Sequence, residues 1–323
     1  MPKVSVIIPV YNVEKYVTQA LDSVVNQTLA DIEIICVNDC TPDKSFEIVK
    51  EYASKDKRFS LLELETNQGQ GVARNNALEI AKGDYIMFLD PDDWLELDAC
   101  EKAYNQIVKN NNEMVLFGLY KYSEAKSSKK ESKIIDYIEF DKTKSRIDLK
   151  NINCDWLRAC WTVHIIYSNK FLKENVVKYA DLRMNEDVPF YIKSICCTNN
   201  ISILDEPLYN YRVKKDDVTA NYSQYFGDVI EARKLAYEFV KNTNNKNLEK
   251  VYLSYQIRTV MNWYKKFVKN FVSDKNFETM KGYFGFLSKK YDIADISDRI
   301  DYVGFEKILS SRSHKEFETL EKK

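Results

Sequence analysis

The chain has 323 residues with 48 Lys+Arg against 49 Asp+Glu, and this near-zero net charge gives no general electrostatic case for a nucleic-acid partner. A hydrophobic content of 45% with only six prolines excludes a disordered or fibrous chain. No apolar run approaches the roughly 18 residues of a spanning helix, and the start MPKVSVIIPVYN lacks the length and cleavage site of a signal peptide.

In chain order, VSVIIPV (4–10) is a β-branched run of buried-strand length, and VEKYVTQALDSVVNQ (13–27) follows with helical spacing. IEIICVND (32–39) predicts a second strand, and residues 42–55 a second helix with Pro42 in its first turn. A third strand over 59–65 precedes a helix over 71–83 that Gly83 should stop. DYIMFLD (84–90) is a fourth strand, and another helix and strand follow within 96–122. Such alternation predicts an α/β fold, a mostly parallel sheet flanked by helices. Residues 121–150 break the alternation, and YSEAKSSKKESK within them is Ser/Lys-rich and reads as a solvated loop or flexible connection, or as a basic contact surface. After about 225 the chain becomes amphipathic and poor in Gly and Pro, a helical C-terminal extension. Within it VMNWYKKFVKNF suits either an ordinary packed helix or an interfacial one.

Seven scattered cysteines predict reduced, mostly buried thiols of a cytosolic protein. With only His164 and His314 besides, a structural zinc site lacks ligands at sensible spacing, and His164 reads as a core or pocket residue.

Ligands of open α/β sheets sit beyond the carboxyl ends of the strands. Pro9-Val10-Tyr11, Asn38-Asp39 and Asp90-Pro91-Asp92 all fall there. Asp90, Asp92 and Asp93 crowd three carboxylates into four residues, and like charges this close need a cation between them. A divalent ion shared with a phosphorylated substrate would serve, because Mg²⁺ takes one or two carboxylates plus phosphate oxygens. The alternative is a turn whose acids, Asp93 first, cap a helix starting near Trp94. Asp39 is placed to accept from a ligand's N–H or hydroxyls. Gly69, Gly71 and Arg74 stand near a helix start, where amides and a guanidinium favour anions. Glu186 and Asp187 are either first-turn charges on a helix or a general base.

The segments from VSVIIPVYN to CTPDKS, GVARNNALEIAKGDYIMFLDPDDWL and NEDVPF resemble the family 2 glycosyltransferases of bacterial type, with the GT-A fold. The likeness is specific from about Lys3 to Asp98 and looser to about Arg212. It implies nucleotide-sugar contacts at Pro9, Val10, Tyr11, Glu14, Asp39, Arg74, Asp90 and Arg212, with Asp39 on the uracil base. It implies a DxD motif in which Asp92, with Asp90, holds Mn²⁺ or Mg²⁺, and a catalytic base at Asp187 with Glu186 as the fallback. Cys40 stands where the family often has glycine.

On this resemblance the expected activity is inverting, metal-dependent transfer from a UDP-sugar to a hydroxyl of a glycan or lipid-linked acceptor, in surface polysaccharide synthesis. The alternatives are a non-catalytic nucleotide- or glycan-binding protein on the same fold and a nucleotidyltransferase. Residues 1–220 would form the glycosyltransferase domain, 1–120 binding the nucleotide sugar and 121–220 the acceptor, with 221–323 a helical subdomain. The expected location is cytoplasmic, peripheral on the inner membrane face through the C-terminal helices.

Overall fold

The computed structural model describes residues 1–132, 156–157, 161–214, 224–263, 274–289 and 306–311. The N-terminal half is strand–helix alternation: β1 (Val4–Val10), α1 (Val17–Val25), β2 (Ile32–Asn38), α2 (Ser45–Lys55), β3 (Phe59–Glu63), α3 (Gln70–Ile80) and β4 (Tyr85–Phe88). A two-residue β5 (Trp94–Leu95), α4 (Ala99–Lys109), β6 (Met114–Ser123) and β7 (Ser128–Ser132) follow. Then come β8 (Ile165–Ser168), α5 (Asn169–Glu174), α6 (Asp187–Cys197) and β9 (Ile201–Val213). Helices α7 (Phe226–Asn242), α8 (Lys246–Trp263) and α9 (Asp274–Ser288) complete the chain's described elements.

The strands form one sheet in the order β3-β2-β1-β4-β8-β6-β9-β5, with β7 on β6. The β3-β2-β1-β4 half is wholly parallel, as the alternation predicts. The central β1 is covered on both faces and reads as a near-continuous apolar run, Ser5 excepted, with every residue buried, whereas the edge strand β3 is only half-buried. β8 pairs antiparallel with β4 and β6, while the long β6–β9 pair is parallel with a bulge at Gly118. In α1 the residues Val17, Ala20, Leu21 and Val24 fall on one stripe and are buried.

Local departures from the sequence expectations have identifiable causes. α1 starts at Val17 rather than 13: a turn precedes it in which the Val13 carbonyl accepts from the Tyr16 (2.8 Å) and Val17 (2.9 Å) amides, while the Val13 and Glu14 amides donate to Ser45 Oγ (2.9 Å) and Asp43 Oδ2 (2.9 Å). These bonds to the β2–α2 loop also leave Pro42 outside α2, which begins at Ser45. α3 ends at Ile80, and the Gly83 amide donates to Ser5 Oγ (2.9 Å), so Gly83 serves the turn into β4 and not the helix end. Asp93 caps no helix: Trp94–Leu95 is a strand paired with β9. Residues 128–132 are not a loop but an exposed strand paired with β6, reached through Ser127 in the left-handed region (φ 46°).

Five cysteines lie in the described residues, all free, and only Cys36 and Cys100 are buried; Cys40 and Cys197 are exposed. The expectation of mostly buried thiols therefore fails at the loop and helix-end positions, while Cys154 and Cys160 lie outside the described residues. His164 is a core residue, its Nδ1 3.0 Å from the Phe117 carbonyl. The helical tail is present: α7 packs on α6, and α8 and α9 pack on α7 around Tyr237, Tyr252 and Phe284. Among the described residues no helix is long and apolar enough to cross a membrane. The Lys-rich part of VMNWYKKFVKNF lies outside the described residues.

Candidate active site

The carboxyl ends of β1, β2 and β4 meet around a cleft of about 640 Å³ lined by Pro9, Tyr11, Asp39, Gly69, Asp90 and Asp92, among others. The strand-end rule thus brings the predicted clusters together. Not every predicted residue faces the cleft. Val10 is wholly buried and contributes its carbonyl, which accepts from the Asp39 amide (3.1 Å). Glu14 points away, its Oε2 accepting from the Lys44 amide (3.2 Å) at the start of α2.

Asp39 is buried and holds the turn into α3: its carboxylate accepts from the Gln68 amide (2.6 Å) and the Gly69 amide (2.8 Å). Each carboxylate oxygen keeps a second lone pair for a ligand. Gly69 sits at φ 90°, a conformation that favours glycine. Cys40 also takes a left-handed conformation (φ 56°), which accounts for glycine being the easier residue there.

The structure answers the question of what separates the three acids of FLDPDDW. Asp90 Oδ1 lies 2.5 Å from Arg74 Nη2, and Asp92 Oδ2 lies 2.5 Å from Lys214 Nζ. Asp93 is buried, accepting from Tyr209 Oη (2.7 Å) and the Arg212 amide (2.7 Å). Two side-chain cations and a hydroxyl thus partner the three acids. Burial first, and then the neighbouring acids, raise the Asp93 carboxyl well above the usual range.

Arg74 corrects its predicted role. Only 2% exposed, it is no open phosphate ligand, because Nη1 binds Glu186 Oε1 (3.0 Å) while Nη2 binds Asp90. Its guanidinium stands 5.0 Å over the Tyr179 ring. It bridges the end of β4 and the start of α6. The approach is close: a Cβ on Gly71 would come 2.8 Å from Glu186 Cγ. A stack of Phe88, Tyr179 and Phe190, with centroids 4.2 to 5.7 Å apart, fixes α6 against β4.

Arg212 is likewise a brace. Its Nε donates to the Asp92 carbonyl (2.7 Å), Nη2 to Gln19 Oε1 (2.6 Å), and Nη1 lies 3.4 Å from Glu124. The guanidinium lies 4.8 Å over Trp94 and 5.0 Å over Tyr16. It orders the acidic loop and presents no free donor fork to the cleft.

A second recess of about 330 Å³ opens beside the cleft and shares Gln70, Asp90, Arg183 and Tyr211 with it. Glu186 and Asp187 line this recess. Glu186 is engaged by Arg74 and by Gln70 Nε2 (2.8 Å). Asp187 forms no ion pair among the described residues; burial, then the Glu186 charge, push its carboxyl up to about 8 against the pull of Arg74. The loop leading to it is held from α7: the Arg183 amide donates to Asp228 Oδ2 (2.8 Å), and Arg233 Nη1 donates to Asn185 Oδ1 (3.2 Å). Asn185 is left-handed at φ 59°, turning the chain so that α6 begins at Asp187.

Sequence reasoning missed Lys214, Arg183, Tyr209 and the α7 contacts. The signal for Lys214 was its place in RVKK just beyond β9, but its partner lies 122 positions earlier in the chain, and no spacing rule connects them.

Comparison with known proteins bears on the family and the fold. Residues 5–174 match Glycosyl transferase family 2, which is more than half of the chain. "Uncharacterized glycosyltransferase EpsJ" of Bacillus subtilis is 33% identical over 223 residues, 68% of this chain and 63% of that protein. The poly(ribitol-phosphate) beta-N-acetylglucosaminyltransferase TarS of Staphylococcus aureus is 30% identical over 222 residues, 67% of this chain and 36% of TarS. The chain thus spans less than two thirds of each of these two relatives. Among solved structures, S. aureus TarS in complex with UDP-GlcNAc superposes with a TM-score of 0.71 at 23% identity, over 88% of this chain and 80% of that one. The Mn²⁺- and GDP-Man-bound mannosyltransferase PcManGT of Pyrobaculum calidifontis gives 0.57 at 14% identity, over 90% of this chain and 76% of that one. These likenesses establish the GT-A fold, and the match over residues 5–174 establishes that this chain belongs to glycosyl transferase family 2.

Proposed function

We propose that the protein transfers a sugar from a UDP-sugar to an acceptor hydroxyl with inversion, residues 1–220 forming the transferase domain and 221–323 a helical subdomain. The supporting observation is the Arg74 bridge, which places the acids of the cleft and the one unpaired carboxylate of the recess on two sides of a single junction. The relatives' names, and UDP-GlcNAc in the TarS complex, favour a UDP-sugar donor and a cell-surface glycan acceptor.

Asp187 is the base. A carboxylate raised to about 8 and free of an ion pair takes a proton from the acceptor hydroxyl, whereas Glu186 is held by Arg74 and Gln70. Proton removal from the recess side and departure of UDP on the cleft side require one displacement, hence inversion. Asp39 and the Gly69 turn hold the uracil end; Pro9 and Tyr11 wall the nucleotide.

The donor set suits a divalent ion carried in with the diphosphate. Asp90 and Asp92 offer hard oxygen ligands, and among the described residues no group of three or more His, Cys, Asp or Glu could hold a metal. Such an ion needs phosphate oxygens to complete its shell. When bound it neutralises charge on the leaving diphosphate. Asp92 would exchange Lys214 for it cheaply, since both side chains are about a quarter exposed and such pairs are worth about 0–1 kcal/mol. Location on the cytoplasmic membrane face is the setting this chemistry suits.

The test is UDP release and product anomer configuration by NMR, using UDP-GlcNAc with and without Mn²⁺. Metal-dependent release with an inverted product supports the reading. A retained configuration, or equal rates without metal, overturns it.

A further inference from the structure

Trp161 is a large aromatic left 39% exposed on the lip of the recess that contains Asp187. Its ring stacks on Tyr211 with centroids 5.4 Å apart and planes 25° apart, and Tyr211 lines the same recess. Tyr211 is fixed in register on β9, opposite Lys121 of β6. An indole supported in this way on one face is rigid, and leaving it partly in water gives up burial that an apolar residue of its size would otherwise gain. Ligand sites that bind rings combine such aromatic walls with a few polar groups. Here the polar groups are Thr162, whose hydroxyl accepts from Tyr179 Oη (2.7 Å), and the carboxylates of Glu186 and Asp187.

The charge of the recess narrows the ligand further. Asp90, Glu186 and Asp187 face it, while its two arginines are engaged: Arg74 by Asp90 and Glu186, Arg183 by the Asn67 side chain and carbonyl. Arg183 is held only by neutral groups and Lys121 Nζ stands 5.6 Å from the Trp161 ring centroid, yet three carboxylates against two guanidiniums leave the lining of the recess net negative, which disfavours a phosphate beside Asp187. Pyranose rings carry no charge and present a face of C–H bonds, positively polarised, to the negative face of an aromatic ring.

Resting on the transferase reading above, we propose that Trp161, supported by Tyr211, is the platform for the acceptor, and that the acceptor's reacting residue is an uncharged pyranose rather than a polyol phosphate. The ring lies on the indole with a hydroxyl turned to Asp187.

The test is saturation-transfer NMR on the full chain with methyl β-glucopyranoside, methyl β-galactopyranoside, the methyl glycoside of N-acetylglucosamine, and glycerol phosphate, each with UDP and Mg²⁺ in the same tube. Wild type should saturate the ring protons of at least one glycoside and none of glycerol phosphate. Trp161→Phe should keep that signal and Trp161→Ala should reduce it at least five-fold, with UDP saturation unchanged in both. UDP in the same tube reports that each variant is folded and that the donor cleft works. Glycoside signals undiminished in Trp161→Ala, no glycoside signal while UDP binds, or glycerol phosphate binding in their place, would overturn the platform and leave the donor reading standing. Failure of UDP to bind any form would instead overturn the donor reading, with the glycoside signals still judging the platform.

Discussion

At the end of β4 every acid has a partner: Asp90 has Arg74, Asp92 has Lys214, and Asp93 has Tyr209 and the Arg212 amide. At the start of α6 only Glu186 is paired, and Asp187 beside it is left to burial and to its neighbour's charge. The first cluster is compensated and suits holding a ligand's charge. Burial raises carboxyls in both clusters, Asp93 in the first among them, but among the described residues Asp187 has no side-chain partner and faces the recess, where its raised proton affinity suits a base. On the proposed reading the paired acids bind and the unpaired one takes the proton. Arg74 belongs to both clusters, so the difference between them rests on one guanidinium.

The largest effect expected is at the unpaired end. Asp187→Asn should lower transfer by about 10²- to 10⁴-fold, the usual span for a general base, read as UDP release with a sugar acceptor. In wild type, transfer should rise with pH as the carboxyl ionises and level off above about 8, and the variant should show no such rise. Stability runs the other way. A carboxyl held higher in the fold than its ordinary 3.8 favours the folded state most at low pH, so this contribution is lost as pH rises from about 4 through about 8. Urea midpoints across that window should fall less in Asp187→Asn than in wild type.

Arg74→Met attacks both clusters at once. It strands the buried Glu186 carboxylate and the half-buried Asp90, and removing one partner of a buried pair costs about 3–5 kcal/mol. The urea midpoint should drop accordingly, and Arg74→Lys should recover only part, since one ammonium cannot span both acids.

Within the paired cluster, Asp93→Asn keeps the shape but weakens the acceptor for Tyr209 Oη and the Arg212 amide. A loss of about 1–3 kcal/mol is expected by urea denaturation, with Asp187-dependent pH behaviour unchanged. The smallest effect is Lys214→Ala. The pair is half-buried but open to the cleft, so stability should move by no more than about 1 kcal/mol, while calorimetry should show Mn²⁺–UDP binding a few-fold tighter because Asp92 is no longer occupied.

The parallel half of the sheet was legible in the sequence because periodicity and strand ends are local properties. VSVIIPV and YIMFLD announce buried strands, and the acids following them fall where such sheets bind ligands. The identity of the cation was not legible. FLDPDDW shows that something positive is required, but Arg74 and Lys214 lie 16 and 122 positions from the acids they meet, and only the folded sheet brings them together. The same holds for the role of Arg212. A basic residue after LYNY suggests a phosphate ligand until Gln19, the Asp92 carbonyl and three aromatic rings are seen to surround it. Glu14 failed for a local reason: Asp43 and Ser45 draw its segment into the β2–α2 loop.

The most direct test of the division between the two clusters is calorimetric titration of UDP with Mn²⁺ into wild type, Asp92→Asn and Asp187→Asn, each paired with a turnover assay. Asp187→Asn should bind UDP as wild type does and turn over at background, while Asp92→Asn should lose the metal-dependent part of binding. Normal turnover by Asp187→Asn, or unchanged metal-dependent binding in Asp92→Asn, would contradict it.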